Sequence, residues 1–286
     1  MVFQSLADAR DYVLSNDEDY FITDEIIRGV SFKVFKNGPK LIPDILNLCL
    51  NHKEKDFLVF DKERYSFGEF HQLTCQIAHL LMDEYSIRPG DRVAILMKNS
   101  PEFPLIFMAL SSIGAVAVCL NSWWTSDELK YGFMDSKVKL VFTDEQRLAK
   151  IKGFVSEMGV QTVLCRHQNS DKSDEFWNSL LTSKNNELPR TTIDQDSDFA
   201  VMYTSGSTGH PKGVVMTHRG AISTLMSWHF GLRVLDVMGL GPVPYVDKNN
   251  QPYQPCQLVS VPFFHVSGTH GGPVSYTHLR AHETHN

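Results

Sequence analysis

From residue 57 onward, short apolar runs alternate with segments whose apolar residues recur at helical spacing. Residues 93–97, 116–120, 138–143 and 160–165 are mostly apolar runs of strand length. Such strands, separated by amphipathic helices, are typical of a parallel sheet that is covered on both faces. The pattern therefore predicts an α/β fold built on a layered parallel sheet, with right-handed crossovers between the strands.

Capping signals mark the beginnings of three helices in this pattern. A Ser-Phe-Gly-Glu capping box at residues 66–69 is followed by apolar residues at helical spacing up to residue 81. Residues 100–102 (Ser-Pro-Glu) supply an N-cap, a proline at the first helical position and an acid in the first turn. A second capping box at residues 125–128 begins a helix that we expect to end near Ser136.

The remaining segments are less regular. The uncharged stretch at 103–120 approaches the ~20 residues that cross a bilayer, but proline and glycine divide it into a buried helix, a turn and a strand. Polar residues dominate positions 166–196, which predicts a surface excursion. After it we expect a helix near 220–229, a loop rich in proline and glycine at 241–255 and a last strand at 257–261.

Composition and charge exclude several classes of protein. A net charge of −6 without basic clusters argues against nucleic acid and anionic membranes as partners, and 42% hydrophobic residues are ample for a core. The five cysteines are scattered, which predicts buried thiols in a reducing compartment, with neither disulfides nor a zinc site. The N-terminal residues are acidic, unlike a signal peptide or a mitochondrial presequence. We therefore expect a cytoplasmic protein without a transmembrane segment.

The stretch Tyr203–Gly213 reads Tyr-Thr-Ser-Gly-Ser-Thr-Gly-His-Pro-Lys-Gly and lies between two apolar runs. Its glycines let backbone N–H groups approach a ligand closely, its hydroxyl groups donate hydrogen bonds, and Lys212 adds a mobile positive charge. This inventory suits a polyphosphate. It is not a Walker A loop, because Pro211 stands where that motif needs its second glycine. A flexible linker has a similar composition and is the alternative at this point.

In residue order this stretch resembles the signature of the adenylate-forming superfamily, which includes acyl- and aryl-CoA synthetases, luciferases and peptide-synthetase adenylation domains. Residues 65–70 (Tyr-Ser-Phe-Gly-Glu-Phe) and 114–121 (Gly-Ala-Val-Ala-Val-Cys-Leu-Asn) are similar to two structural segments of that family. Residues 262–268 (Pro-Phe-Phe-His-Val-Ser-Gly) resemble its Pro-aromatic-Phe-His-x-x-Gly segment, where peptide-synthetase domains usually have Phe-Asp-x-Ser. The resemblance covers about residues 40–272 and favours a CoA ligase.

The resemblance implies ATP-dependent activation of a carboxylic acid. The acid would attack the α-phosphorus of MgATP to give an acyl-adenylate, and coenzyme A would then displace AMP. Lys212 and Thr208 are the implied catalytic residues, and the Thr208 hydroxyl is also the implied Mg²⁺ neighbour, because this ion prefers oxygen ligands. The implied substrate is a small carboxylic acid, in our interpretation a fatty acid, bound by His265 and Gly268. The implied ATP contacts are Thr204, Ser205, Gly206, Ser207, Thr208, Gly209 and Lys212.

Other interpretations stay open. Without the family context, His265 would be an ordinary half-buried core histidine beside two aromatic residues. An adenylate-forming enzyme with another acceptor, either luciferase-like or loading a carrier protein, would carry the same loop. So would a truncated protein that binds phosphate without catalysis.

The resemblance also divides the chain. Residues 1–39 are a lead-in, and residues 40–272 correspond to the N-terminal part of an AMP-binding domain. Residues 273–286 resemble a translated sequencing adapter and are expected to be non-native; a natural tail whose three histidines bind a metal is the alternative. The family's nucleoside-binding segments, acidic Mg²⁺ ligand and late lysine would all follow residue 272. We therefore expect an incomplete domain, inactive alone, in which a C-terminal peroxisomal signal would not be visible.

Overall fold

The computed structural model describes residues 3–167, 174–182, 185–205, 210–241, 246, 249 and 256–270. These residues form two compact units. One unit joins the described parts of Met1–Lys40 and Gly220–Leu258, and the other joins those of Leu41–Arg219 and Val259–Asn286. The second unit contains the predicted sheet and both segments that carry candidate site residues.

Strands and helices alternate through the middle of the chain, as the apolar pattern predicts. The strands of the described residues are β1 (Ile22–Ile27), β2 (Val30–Phe35), β3 (Asp56–Phe60), β4 (Glu63–Ser66), β5 (Arg92–Leu96), β6 (Val116–Cys119), β7 (Leu140–Asp144), β8 (Gln161–Arg166), β9 (Asp198–Thr204) and β10 (Lys212–Thr217). The helices are α1 (Leu6–Asn16), α2 (Ile42–Leu48), α3 (Phe67–Asp83), α4 (Glu102–Ser112), α5 (Ser126–Ser136), α6 (Glu145–Ile151), α7 (Asp174–Thr182), α8 (His218–Val237) and α9 (Val266–Thr269).

The main sheet has the strand order β10-β9-β6-β5-β7-β8. From β9 to β8 each strand runs parallel to its neighbours, which confirms the predicted parallel sheet. At one edge, β10 pairs antiparallel with β9. The strand β6 and all of β5 after Arg92 are buried, as expected for strands that are covered on both faces.

Helices cover both faces of this sheet. On one face, Leu129 and Phe133 of α5 and Ile151 of α6 join a buried cluster with residues of β5, β6 and β7. On the other face, Phe107 of α4 contacts Phe199 of β9, with ring centroids 5.8 Å apart. Helix α4 is buried along its whole length and packs against α3. The core therefore lies on both sides of the central strands.

The predicted helix beginnings are largely confirmed. Both capping boxes form, at Ser66 before α3 and at Thr125 before α5. Helix α5 ends at Ser136 as predicted, and the next residue, Lys137, has a left-handed backbone with φ 52°. Helix α4 begins one residue later than predicted, because Pro101 is its N-cap.

The first unit is built around aromatic ring contacts. Strands β1 and β2 form an antiparallel hairpin. The Phe35 ring at its end contacts Tyr20 and Phe230, with centroids 6.1 and 6.0 Å apart. Arg233 of α8 forms an ion pair with Asp17 at 3.0 Å. Residues 3–39, which the sequence analysis treated only as a lead-in, therefore have secondary structure of their own.

The predicted strand at 257–261 is wrong. The Asn99 side-chain amide donates a hydrogen bond to the Val261 carbonyl oxygen at 2.9 Å and accepts one from the Phe263 N–H at 2.8 Å. One side chain thus satisfies two backbone groups that a neighbouring strand would otherwise pair. Leu258 is 91% exposed, so the apolar character of this run does not reflect burial.

The predicted surface excursion at 166–196 contains a helix. Phe176, Trp177 and Leu180 of α7 are buried, and these three residues anchor a segment that looked polar in the sequence. Helix α8 is longer than the predicted helix at 220–229. Most of the predicted loop at 241–255 lies outside the described residues.

Four of the five cysteines are buried, as predicted, whereas Cys256 is exposed, so the prediction of a buried thiol is wrong there. Burial raises the pKa of the Cys75 thiol to about 12, so this group is uncharged at neutral pH. No helix within the described ranges has the length and apolar character needed to cross a bilayer.

A buried charge cluster was not predicted. Glu102, expected only as an acid in a first helical turn, is fully buried and accepts a hydrogen bond from Arg166 Nη2 at 2.7 Å. Arg166 also donates from Nη1 to Glu63 at 2.9 Å. Burial raises the pKa of Glu102, and the charge of Arg166 opposes that shift. The cluster joins the end of β8 to the beginnings of α4 and β4.

Candidate functional site

The phosphate-binding candidate is the connection between β9 and β10. Strand β9 ends at Thr204, β10 begins at Lys212, and these two residues face each other across the antiparallel pair. Residues 206–209 lie outside the described part of the chain. The predicted roles of Gly206, Ser207, Thr208 and Gly209, including the catalytic and metal-binding roles of Thr208, therefore stay predictions.

The residues at the two ends of this connection are accessible to a ligand. Thr204, Ser205 and Lys212 are all exposed. Within the described ranges, no carboxylate forms an ion pair with the Lys212 ammonium group. The Thr204 hydroxyl donates to the Lys212 carbonyl oxygen at 3.5 Å, which ties the two ends together. Two exposed hydroxyl groups beside such a cation suit an anionic ligand.

Helix α5 contacts both ends of the connection. The Tyr131 ring stacks on His210, with centroids 5.0 Å apart and an angle of 22° between the ring planes. One turn later, Asp135 accepts a hydrogen bond from the Tyr203 hydroxyl at 2.7 Å. Burial, together with this bond to Asp135, raises the pKa of Tyr203, so its hydroxyl stays protonated and donates at neutral pH.

The second candidate segment, residues 262–268, lies at the same edge of the sheet. Asn99, which anchors its beginning, follows the carboxyl end of β5, and the β9–β10 connection follows the carboxyl end of β9. Both strands run parallel to β6, so their carboxyl ends lie at one edge. Ligands of open α/β sheets typically bind at this edge.

The two predicted acid-binding residues differ in their surroundings. His265 is exposed, and its Nδ1 accepts a hydrogen bond from the Ser267 N–H at 3.3 Å, at the beginning of α9. In this chain the exposure does not match the interpretation of His265 as a half-buried core histidine. Gly268 is buried, and an added Cβ would overlap the Pro262 carbonyl oxygen. The acid-binding role of both residues stays a prediction.

Two buried histidines that the sequence analysis did not single out flank the Phe199 ring. The His218 and His270 rings lie 5.2 and 5.9 Å from it, between centroids. His218 Nδ1 accepts a hydrogen bond from the Ile42 N–H at 3.3 Å. Burial lowers the pKa of each imidazole to about 4, so both are neutral at pH 7. No local sequence signal marks them, because their partners are distant in the chain.

The described residues fit a polyphosphate better than a dedicated metal site. In the described part of the chain, no group of three His, Cys, Asp or Glu side chains could hold a metal ion. A Mg²⁺ ion would take oxygen ligands, such as those of phosphate, hydroxyl groups and water. The exposed hydroxyl groups of Thr204 and Ser205 and the charge of Lys212 are groups that suit a phosphate, and their role in binding ATP stays a prediction.

Fold and site together define a class of protein: an α/β protein with an exposed lysine- and hydroxyl-bearing connection at the carboxyl edge of a mostly parallel sheet. The family described as AMP-binding enzyme matches residues 48–277, and the chain therefore belongs to that family. This match confirms the resemblance to adenylate-forming enzymes inferred from the sequence.

The curated relatives include several plant CoA ligases. The 4-coumarate–CoA ligase CCL1 of Humulus lupulus is 34% identical over 187 residues, which are 65% of this chain and 32% of that protein. The 4-coumarate–CoA ligase 3 of Arabidopsis thaliana is 31% identical over 204 residues, 71% of this chain and 33% of that protein. The chain thus spans about a third of the length of these relatives.

Solved structures confirm the fold. The inhibitor-bound N-terminal domain of FACL13 from Mycobacterium tuberculosis superposes with a TM-score of 0.67 at 26% identity, covering 84% of this chain and 55% of that one. A fatty acyl CoA synthetase of the same organism gives a TM-score of 0.65 at 24% identity, covering 83% and 43%. The chain is therefore a partial N-terminal domain of the adenylate-forming type.

Proposed function

We propose that this chain carries the ATP phosphate-binding part of a ligase that activates a carboxylic acid with ATP and then joins it to coenzyme A. The observation that supports this proposal is the pairing of Thr204 with Lys212 in a member of the AMP-binding enzyme family. The pairing brings hydroxyl groups and an exposed lysine together at the carboxyl edge of the sheet.

The proposed role of these residues follows from where charge develops. When a carboxylate attacks the α-phosphorus of ATP, negative charge grows on the departing pyrophosphate. Positioned donors and cations stabilise such charge with little reorganisation. Lys212 would contribute its ammonium charge, and Thr204 and Ser205 would contribute hydroxyl donors. Thr208 is the proposed hydroxyl beside Mg²⁺, which when bound would neutralise further phosphate charge.

The class of carboxylic acid that we propose as the substrate is either fatty or aromatic. The sequence interpretation favoured a fatty acid, and the similar fatty acyl CoA synthetase supports only the fold, at 24% identity. The curated relatives at 31–34% identity are named for 4-coumarate, an aromatic acid. We therefore propose a hydroxycinnamic acid as the first substrate to test, with fatty acids as the second class. His265 and Gly268 are the proposed residues of its binding site.

The complete reaction needs more than the described residues supply. The contacts proposed for these residues are to phosphate and to the acid, and the chain spans about a third of its relatives' length. We propose that nucleoside binding and thioester formation depend on the parts of those relatives that this chain does not cover.

Acid-dependent exchange of labelled pyrophosphate into ATP tests the proposed function. The gene product that contains this chain is assayed with 4-coumarate, cinnamate, octanoate and palmitate, each with and without coenzyme A. We expect exchange with at least one acid, and the matching CoA thioester when coenzyme A is present. Exchange without thioester would point to another acceptor, such as oxygen or a carrier protein. Absence of exchange with every acid would contradict the proposal and favour phosphate binding without catalysis.

A further inference from the structure

Helix α5 is held closely against the main sheet. Its residues Leu129 and Phe133 are buried in the core, and the Phe133 ring meets Phe154 edge to face at 5.6 Å. An added Cβ on Gly132 would lie 3.0 Å from side-chain atoms of both Leu120 and Trp124. A side chain at this position would require these two side chains to move by a few tenths of an ångström, so the helix packs closely here. Such close packing restricts the movement of α5 and therefore of the side chains that it carries.

Two side chains of α5 contact residues at the two ends of the β9–β10 connection. The Tyr131 ring stacks on His210, which lies two residues before Lys212. Asp135 accepts the hydrogen bond of Tyr203, the residue directly before Thr204, at 2.7 Å. Positions 131 and 135 are one turn apart on the same face of α5, so one helix face reaches both ends.

We propose that Tyr131 and Asp135 are positioning residues, through which α5 holds both ends of the phosphate-binding connection so that Thr204 and Lys212 face one ligand. This inference rests on the proposed function. Neither residue needs to touch the ligand, because Tyr131 acts through His210 and Asp135 acts through Tyr203. His210 would then serve as the stacking partner through which Tyr131 acts.

The physical reason is the entropic cost of binding. Binding orders the backbone and side chains that contact the ligand, including Thr204 and Lys212. Contacts that fix both ends beforehand reduce that cost. A stacked aromatic pair is expected to change the equilibrium by about 2- to 10-fold when it is removed.

Hydrogen–deuterium exchange in the 286-residue chain tests whether α5 holds the connection. Tyr131→Ala removes the stack, Tyr131→Phe keeps the ring, and Tyr203→Phe removes only the hydroxyl. The control is Tyr12→Ala. It removes a tyrosine ring that contacts the Phe3 ring, with centroids 5.2 Å apart, and both residues belong to the other unit. We expect peptides covering residues 204–212 to exchange about 2- to 10-fold faster in Tyr131→Ala and Tyr203→Phe. In Tyr131→Phe and Tyr12→Ala they should exchange at the parent rate.

Binding of inorganic pyrophosphate with Mg²⁺ to the same variants connects this positioning to the ligand. We expect Tyr131→Ala to weaken binding by about the same 2- to 10-fold, and Tyr131→Phe to restore it. Urea unfolding midpoints show whether a variant has simply lost global stability, which would accelerate exchange throughout the chain and overturn a local role.

Unchanged exchange at residues 204–212 in Tyr131→Ala and Tyr203→Phe would overturn the inference. Faster local exchange with unaltered pyrophosphate affinity would also overturn it, because positioning would then have no effect on the ligand. A parent chain that binds no pyrophosphate would contradict the proposed function of the connection. In that case the exchange results would still decide whether α5 holds its ends.

Discussion

Gly268 has a packing reason for being glycine, whatever its role in binding an acid. An added Cβ would overlap the Pro262 carbonyl oxygen and would lie 3.1 Å from Phe263 Cα. These are backbone atoms, and the Asn99 side chain anchors them through the Phe263 N–H, so they have little freedom to move aside. The motif in the sequence identifies the glycine, but only the structure shows the close contact that requires it.

We expect Gly268→Ala to lower the free energy of unfolding by about 1–3 kcal/mol, because the extra methyl group overpacks a constrained turn. Gly153→Ala is the matched control: no atom lies within 4 Å of its added Cβ, so a change within about 0.5 kcal/mol is expected. Urea unfolding of the two variants measures the difference. Equal midpoints would show that the turn accommodates a side chain.

At the scale of elements, the distance between partners in the sequence decided what could be predicted. The capping boxes of α3 and α5 were predicted correctly because all their partners lie within three positions. The bonds from Arg166 to Glu102 and Glu63 span 64 and 103 positions, so no local pattern indicates them. The contacts of α5 with the β9–β10 connection were missed for the same reason, since Tyr203 and Asp135 are 68 positions apart.

Replacing Arg166 with Met should destabilise the fold strongly. Removal of one partner leaves the buried Glu102 carboxylate without its positive partner, which typically costs about 3–5 kcal/mol. Adding Glu102→Gln to this variant should recover part of the loss, because the uncompensated charge is then removed. Arg64→Met is the control: Arg64 pairs with Asp56 at the surface, and such pairs contribute about 0–1 kcal/mol. Chemical denaturation measures the stability of these variants. If the double variant were less stable than Arg166→Met, the uncompensated charge of Glu102 would not be the cause of the loss.

At the scale of the whole molecule, the apolar pattern predicted the parallel sheet correctly. It gave wrong secondary structure for two segments, residues 257–261 and helix α7. Residues 257–261 are apolar but form no strand, and the Asn99 side chain bonds the Val261 carbonyl oxygen and the Phe263 N–H at the end of this run. Helix α7 was missed, because three buried residues among polar ones are a weak signal. The family motif located the β9–β10 connection, while the buried histidines around Phe199 depend on tertiary packing that no motif encodes.

Those histidines make the stability of the whole molecule depend on pH. The folded-state pKa of His218 and of His270 is about 4, below the ordinary value of 6.5. Between these values the unfolded chain binds more protons, so the stabilisation is complete above about pH 6.5 and is lost as the pH falls towards 4. At pH 5 the loss is about 2 kcal/mol per histidine. Urea unfolding at pH 7.5 and pH 5 measures it.

The variant His270→Phe isolates this effect from other titrations. The raised pKa of Glu102 acts in the opposite direction, since the folded chain then binds the extra proton, so the comparison is made between variant and parent. His270→Phe should reduce the loss of stability between pH 7.5 and pH 5 by about 2 kcal/mol. A loss as large as that of the parent would mean that His270 is protonated in the folded chain.

The central claim is that the β9–β10 connection binds the phosphates of ATP through Lys212. Acid-dependent pyrophosphate exchange by the gene product carrying Lys212→Ala tests it most directly. Lys62→Ala is the control, because Lys62 is also an exposed lysine but lies in the turn between β3 and β4.

Loss of one preorganised charge should slow exchange by about 10²–10³-fold in Lys212→Ala. The urea midpoint should stay at the parent value, because the side chain is exposed. Lys62→Ala should exchange at the parent rate. Exchange at the parent rate in Lys212→Ala as well would contradict the claim and make the connection a linker.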